Sequence, residues 1–572
     1  MTMNGHRISK ETWHRFVRYV HGFRTSKAGP RAMRLAGLLL ALLLSNNSLN
    51  VLNSYVGRDF ISAIEARDTL LFVGKAWLYI GVFAISTVAA VMTRYAEESL
   101  GLVWREWQTR QMINAYLKDR AFYQIEESDA VENPDQRIAE DVRAFTATSL
   151  SFALMSLNGI LTVLAFSGVL WSISPRLFVG AVLYAGIGTG LTVLLGKRLV
   201  GLNDKQLDKE ANFRSELIHV REHAEPLALL NREAPLRARL TDRLDDLVTN
   251  ARRMISVNRN LGFFTTGYNY VIQIMPALIV APLFIQGKVP FGVITQSAMA
   301  FSALMGAFSL IVTQFQSISN YAAVITRLGR LGEALDTVCG TSCSPVHVED
   351  SKDQVEFKHL TLYDEKKEVL VADLNLVIPY GTRTLVRSSS GHAKAALFKA
   401  AAGLNCLGAG NIKRPSGRAM MFMPERPYLP RANLRMMLAP AGSATFTDEQ
   451  ILGILRQLHL EGVVTQAGGL GTVQEWSTVV ALNDQAMLAV ARLMLAAPQF
   501  VFMDRLSIAF DLRQASQVLR LLTERGISYI VLGKADDVPT QFDNVLDLGP
   551  KGTWRWRPAA EVREEIAARD AG

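Results

Sequence analysis

Apolar residues crowd into six stretches within the first 312 positions, at 33–52, 71–92, 154–171, 177–195, 263–285 and 293–312. Each approaches the roughly 20 residues that a helix needs to cross a bilayer. The pattern therefore predicts six membrane-spanning helices. Two of the intervening gaps, 93–153 and 196–262, are long and charged. Within them "LVWREWQTRQMINAYLKD" and "KQLDKEANFRSELIHVREHAEPLALL" keep a helical period, so the spans are expected to continue as helices beyond the membrane. Ahead of the first span, "ETWHRFVRYVHGF" puts Trp13, Phe16, Val17 and Val20 at i, i+3, i+4 and i+7, which predicts an amphipathic helix lying at the interface. After the sixth, "NYAAVITRLGRLGEAL" reads as another helical extension. Near residue 350 the period changes. Strand-like runs ("QVEFKHLTL", "ADLNLVIPY", "TRTLVRS", "AMMFMP", "QFVFMD", "SYIVLG") alternate with the helical runs "DEQILGILRQLHL" and "NDQAMLAVARLMLA", the signature of an α/β domain. The expected organisation is an N-terminal amphipathic segment at 1–32, a helical membrane domain at 33–330, a linker at 331–352, an α/β domain at 353–558 and a charged, exposed tail at 559–572.

Composition supports a membrane protein: 49% of residues are hydrophobic and the mean hydropathy is +0.16. The formal charge is +9. No RNA-type aromatic motif or basic repeat accompanies it, so nucleic acid is not an expected partner. Lys and Arg kept on the cytoplasmic side account for the excess instead. Residues 1–34 hold Arg7, Lys10, Arg15, Arg18, Arg24, Lys27, Arg31 and Arg34 against Glu11 alone, which puts the N-terminus inside. Six crossings return the chain to that side, so both long gaps and the C-terminus are expected there too. No small-residue cleavage site follows the basic region, unlike a signal peptide. Cys339, Cys343 and Cys406 cannot build a disulfide framework, and no metal site is expected.

The stretch "SSSGHAKAAL" (388–397) follows a strand-like run and opens a helical one. Its outline is that of a phosphate-binding loop, in which backbone N–H groups and a helix N-terminus cradle an anion. With six spans, two long helical gaps and a C-terminal α/β domain, the chain resembles ABC half-transporters of the exporter type. The resemblance sets the register. Ser388 takes the place of the first loop glycine, Gly391 keeps an inner glycine, Ala393 replaces the last glycine, Lys394 keeps the lysine and Ala395 replaces the Ser/Thr that binds Mg²⁺. "FVFMDRLSIAFD" resembles the Walker B strand and D-loop. Asp504 stands in the Mg²⁺ position, and Arg505 replaces the glutamate that activates water. "VALND" (480–484) occupies the place of the signature motif, framed by Trp476, Gln485, Ala491 and Arg492, without its serine and glycines. Glu425 replaces the Q-loop glutamine and Lys534 the switch histidine. Five altered motifs imply a degenerate nucleotide domain: Gly391, Lys394, Glu425 and Asp504 as vestigial nucleotide-binding residues, no catalytic residue, negligible ATP hydrolysis, and no required cofactor, with ATP and Mg²⁺ doubtful.

"ENPDQRIAEDV" (132–142), "WREWQT" (104–109), "VLNSYVGRDFISAIEARD" (51–68) and "EANFRSELIHVREHAEPLALL" (210–230) resemble the SbmA/BacA-like and YddA-like transporters, with peroxisomal fatty-acyl transporters as more distant relatives. That resemblance implies a homodimer in the bacterial inner membrane, in contact with lipid, importing peptides, peptide-like antibiotics or cobalamin-type cargo. Some such transporters run on the proton gradient. Acidic groups able to couple protons are then expected, and Glu140, Glu210 and Glu222 are the candidates as a set. Lys75 in the second span is read as snorkelling to the interface. Asn46, Asn50, Asn269 and Gln273 are candidates for a cargo cavity, with helix–helix hydrogen bonding as their other reading. Two further readings are an ATP-driven transporter with unusual residues, alone or with a consensus partner, and a membrane sensor or scaffold that moves nothing.

Overall fold

The computed structural model describes residues 10–570 except 129–130, 232, 341–345, 365, 405–406, 440–445, 507–509 and 536. The chain forms two compact units, Met1–Gly340 and Thr341–Gly572.

The first unit is helical. Helix α1 (Lys10–Thr25) precedes the long α2 (Gly29–Glu65) and α3 (Thr69–Leu117), and α4 (Ala121–Glu127) follows. A single turn, α5 (Pro134–Gln136), passes through a π-helical turn, Arg137–Asp141, into α6 (Val142–Ile173). Then come α7 (Pro175–Glu222), α8 (Ala224–Leu229), α9 (Glu233–Ile285), α10 (Gly292–Thr313) and α11 (Phe315–Gly340). Local chemistry sets the breaks. Asp68 caps α3 by accepting from the Leu71 N–H at 3.0 Å, and Pro175 starts α7 after an extended Ser174. Helix α9 runs through Pro276 and Pro282.

Among the described residues, five helical runs are long and apolar enough to cross a membrane: Gly29–Glu65, Thr69–Glu127, Pro134–Ile173, Glu233–Ile285 and Gly292–Leu310. The remaining expected span, 177–195, falls in α7, where the side chains of residues 193 and 195 lie outside the described set. Many apolar side chains in the spans are exposed, among them Trp77, Leu164 and Leu278.

Helix α1 is helical where the sequence predicts it, and its second half packs on the other helices. Phe23 is buried and stacks on Trp104 at 5.5 Å, and Tyr19 meets Phe145 edge-on while its hydroxyl donates to the Leu328 carbonyl at 3.1 Å. The second half of α1 thus docks on α3, α6 and α11, because its aromatic face finds protein partners. Trp13 and Phe16 have side chains outside the described residues.

The second unit contains two sheets. A four-stranded sheet has the order β1 (Val346–Asp350), β5 (Gly408–Arg414), β2 (Gln354–Tyr363), β3 (Val369–Pro379). A six-stranded sheet has the order β10 (Trp554–Pro558), β9 (Asn544–Leu548), β4 (Thr384–Ser388), β8 (Ser528–Gly533), β7 (Phe500–Asp504), β6 (Met420–Met423), parallel except where β10 meets β9. Strands β4 and β8 are buried along their whole length; β8 carries the apolar run 529–532 that such burial favours, while β4 buries the polar Thr384, Arg387 and Ser388 beside Leu385 and Val386. The expected linker is not irregular throughout: 331–340 belong to α11, and β1 pairs with β5. The expected exposed tail is a helix, Ala559–Asp570, because Ala559 and Val562 are buried against the domain.

Candidate functional site

In the six-stranded sheet β4, β8, β7 and β6 are neighbours and run parallel. Their carboxyl ends therefore share one edge. The chain leaves β4 through Ser389–Ser390, β8 at Lys534, β7 at Arg505 and β6 through Pro424–Glu425. Residues from four distant stretches of sequence converge at the edge where open α/β sheets hold ligands.

The loop after β4 is tied down by its own side chains. Ser388 Oγ donates to the Leu548 carbonyl at 2.9 Å and accepts from the Ser390 N–H at 3.0 Å. Ser390 caps helix α12 (Gly391–Ala402) by accepting from the Ala393 N–H at 3.3 Å. A helix N-terminus that could receive an anion thus spends one donor on its own cap. Gly391 has open space around it: a Cβ there would meet nothing within 4 Å. Lys394 is buried, and its Nζ donates to the Gly533 carbonyl at 2.6 Å. Burial pushes its pKa down, and the charge of Arg505 adds to the shift.

Arg505 Nη2 lies 2.8 Å from Glu425 Oε2, and its Nε lies 3.6 Å from Asp504 Oδ1. The Arg505 backbone is left-handed, with φ of +38°, which a long side chain rarely adopts. Burial holds the Asp504 carboxyl above the ordinary carboxylate range; the Arg505 charge opposes the shift and the Glu425 charge adds to it. Lys534 is exposed, and its backbone N–H donates to Asp537 Oδ2 at 2.7 Å. The "VALND" stretch turns from an extended Ala481 into a helix, Leu482–Ala496, with no side-chain cap.

The acidic candidates of the first unit are not brought together: among the described residues no hydrogen bond or ion pair joins them. Glu140 is exposed in the π turn and accepts from Gln136 Nε2 at 3.0 Å. Glu210 is exposed on α7, accepts from Gln206 Nε2 at 3.1 Å, and borders an open cleft of about 410 Å³ with Ala211, Arg214, Ser215 and Ile218. Glu222 is exposed at the end of α7. Asn46 donates to Thr93 Oγ1 at 2.8 Å, joining α2 to α3. Asn50, Asn269 and Gln273 are exposed.

Two charged clusters were missed. Lys75 pairs with Asp59 at 3.0 Å, and Arg58 holds the same carboxylate at 2.8 Å. Asp59 and Lys75 lie equally far along the chain from Arg67 in the α2–α3 turn, a signal that two antiparallel helices would bring them level. The second cluster explains "ENPDQRIAED". Asn133 is left-handed and Pro134 starts the turn. Buried Arg137 donates to the carbonyls of Glu132 at 2.6 Å and Arg327 at 3.2 Å. Buried Asp141 accepts both fork nitrogens of Arg327, Nε at 2.7 Å. The motif is a clasp between the start of α6 and α11.

Residues 26–285 match the ABC transporter transmembrane region 2 family. An ABC transporter ATP-binding protein of Synechocystis sp. is 33% identical across 92% of this chain and 81% of its own length. The chain belongs to the ABC transporter family. ABC transporter D family member 2, chloroplastic, of Arabidopsis thaliana is 32% identical across 98% of this chain and 89% of its own. The inner membrane ABC transporter ATP-binding protein YddA of Escherichia coli is 24% identical across 88% and 91%. This ABC transporter thus combines a mostly helical membrane region with an α/β domain of mixed sheets.

Proposed function

We propose that this ABC transporter moves its cargo without hydrolysing ATP, and that the proton gradient drives it. The observation that carries the reading is the Arg505–Glu425 ion pair. It puts a guanidinium, which cannot accept a proton at neutral pH, where the family resemblance places the water-activating glutamate. The fit to Mg²⁺ and ATP is poor at further points. Ala395 offers no oxygen to a metal, Asp504 already lies beside a cation, Ser390 occupies the Ala393 N–H, and Lys394 is spent on a backbone carbonyl. The α/β domain is then a degenerate nucleotide domain.

The rest of the reading follows the resemblance to SbmA/BacA-like and YddA-like transporters: a homodimer in a bacterial inner membrane, with both termini inside, importing peptides, peptide-like antibiotics or cobalamin-type cargo. Glu140, Glu210 and Glu222 are the acids proposed to couple protons. The test is phosphate release by the full chain in lipid nanodiscs, beside Lys394→Ala as blank, together with uptake in cells treated with a protonophore. The expected result is release equal to the blank and uptake that collapses with the gradient. Release well above the blank, or uptake indifferent to the protonophore, overturns the reading.

A further inference from the structure

Among the described residues of α2, α3 and α10, Asn53 Oδ1, Ser54 Oγ, Ser86 Oγ and Gln296 Nε2 are buried without a hydrogen-bond partner. Helix packing brings them to one level. On α2, Asn46 donates to Thr93 and Gly57 lies against the Tyr79 ring; Asn53 stands between them on the same stripe. On the facing stripe of α3, Ser86 stands midway between Tyr79 and Thr93. Ser54 lies on the neighbouring stripe of α2, between Asn47, which donates to Asn158 Oδ1 at 2.9 Å, and Ser62, which accepts from the Gly292 N–H at 3.1 Å. A Cβ on Gly292 would meet the Arg58 carbonyl, and one on Gly159 would meet Leu310. Helix α10 therefore runs back along α2 and brings Gln296 level with residues 54–58.

We propose that this level holds water inside the membrane region and that protons cross it between Asp59 and Glu97. The proposal rests on the reading of a proton-driven transporter and deepens it by naming a route. Glu140, Glu210 and Glu222 lie outside the apolar stretches and cannot alone carry a proton across them. Ionisable groups flank the level. Asp59 stands on one side with Arg58 and Lys75. Glu97 stands on the other, one turn past Thr93, beside the Arg94–Glu98 pair. The bonded pairs Asn46–Thr93 and Asn47–Asn158 floor the level on the Glu97 side. Polar atoms left bare in hydrocarbon are costly, so something must bond them. Their chemistry fits water: an amide N–H donates, an amide oxygen accepts, and serine hydroxyls do both. A metal cation fits less well, because the Gln296 amide N–H repels it.

Two measurements on the full chain test this. The first is thiol labelling by silver ion in nanodiscs, with Cys339, Cys343 and Cys406 replaced by alanine. Ser54→Cys and Ser86→Cys are expected to react faster than Leu39→Cys, which sits buried in an apolar cluster. The second is proton uptake by proteoliposomes loaded with pyranine, under an imposed pH gradient. Asn53→Leu and Gln296→Leu are each expected to slow it about tenfold, the scale of one lost hydrogen-bonding group. Ser86→Ala, the smallest change, guards against misfolding and is expected to slow uptake as well. Labelling no faster than that of Leu39→Cys overturns the proposal. So does wild-type uptake that all three variants leave intact. Wild-type uptake no greater than that of protein-free liposomes overturns the proton-driven reading, and the route with it, while the labelling reports separately on the water.

Discussion

Asp141 and Arg327 illustrate what one contact does. The carboxylate is 9% exposed, and both its oxygens are taken by one guanidinium from a helix 186 positions further along the chain. Removing one partner of such a pair leaves a buried charge without compensation, which costs about 3 kcal/mol or more, less whatever the half-exposed Arg327 side has already lost to water. Arg327→Met is therefore expected to lower the unfolding temperature of the detergent-solubilised chain by several degrees, and Asp141→Asn in the same background to recover part of the loss. An unchanged midpoint for Arg327→Met would show that the clasp carries no stability. "NPDQRIAED" stood out in the sequence as a motif, but nothing in it named Arg327, because a partner on another helix leaves no local period.

At the scale of elements, the parallel sheet is held at one side by linked ions. Arg387 on β4 reaches Asp547 on β9 at 2.8 Å, Arg557 on β10 reaches the same carboxylate at 2.6 Å, and Arg557 also reaches Glu565 of the terminal helix at 2.6 Å. Burial alone would raise the Asp547 pKa, but hydrogen bonds from Arg387 and Arg557 outweigh it and hold it below 3.8; bonds from Arg383 do the same for Asp543. A lowered carboxyl contributes stability above its unfolded value and loses it as pH falls through the folded one. Hydrogen exchange in 384–388 and 544–558 is accordingly expected to quicken as pH falls below 3.8, after correction for the intrinsic rate. Asp547→Asn should flatten that dependence, and an equally steep profile in the variant would remove these ions from the account. The apolar strands β7 and β8 were legible because burial on both faces demands continuous hydrophobic runs. Strands β1, β5 and β9 were not: they are short and mix charged, polar or glycine residues with apolar ones, and pairing alone makes them strands.

For the whole molecule, the question is what covers the outward faces of the spans. Asn50, Asn269 and Gln273 are exposed on α2 and α9 beside apolar neighbours. Polar amides facing lipid tails would cost several kcal/mol each, so a second copy or a water-filled path between two copies is the cheaper surrounding. Mass photometry of the nanodisc-embedded chain is expected to find two copies of the 63.2 kDa chain per disc, and a single copy at working concentration would overturn the homodimer. Sequence by itself determined the helical membrane region, its extension beyond the apolar spans and the change to an α/β domain. These are properties of local period and residue type. Only the tertiary structure decided the partners: Arg505 with Glu425, Lys394 with the Gly533 carbonyl, Asp59 with Lys75, Asp141 with Arg327, and α1 with the helices it docks on. An ion pair forms where the packing of strands and helices brings two side chains within about 4 Å, and that distance depends on the whole path of the chain between them.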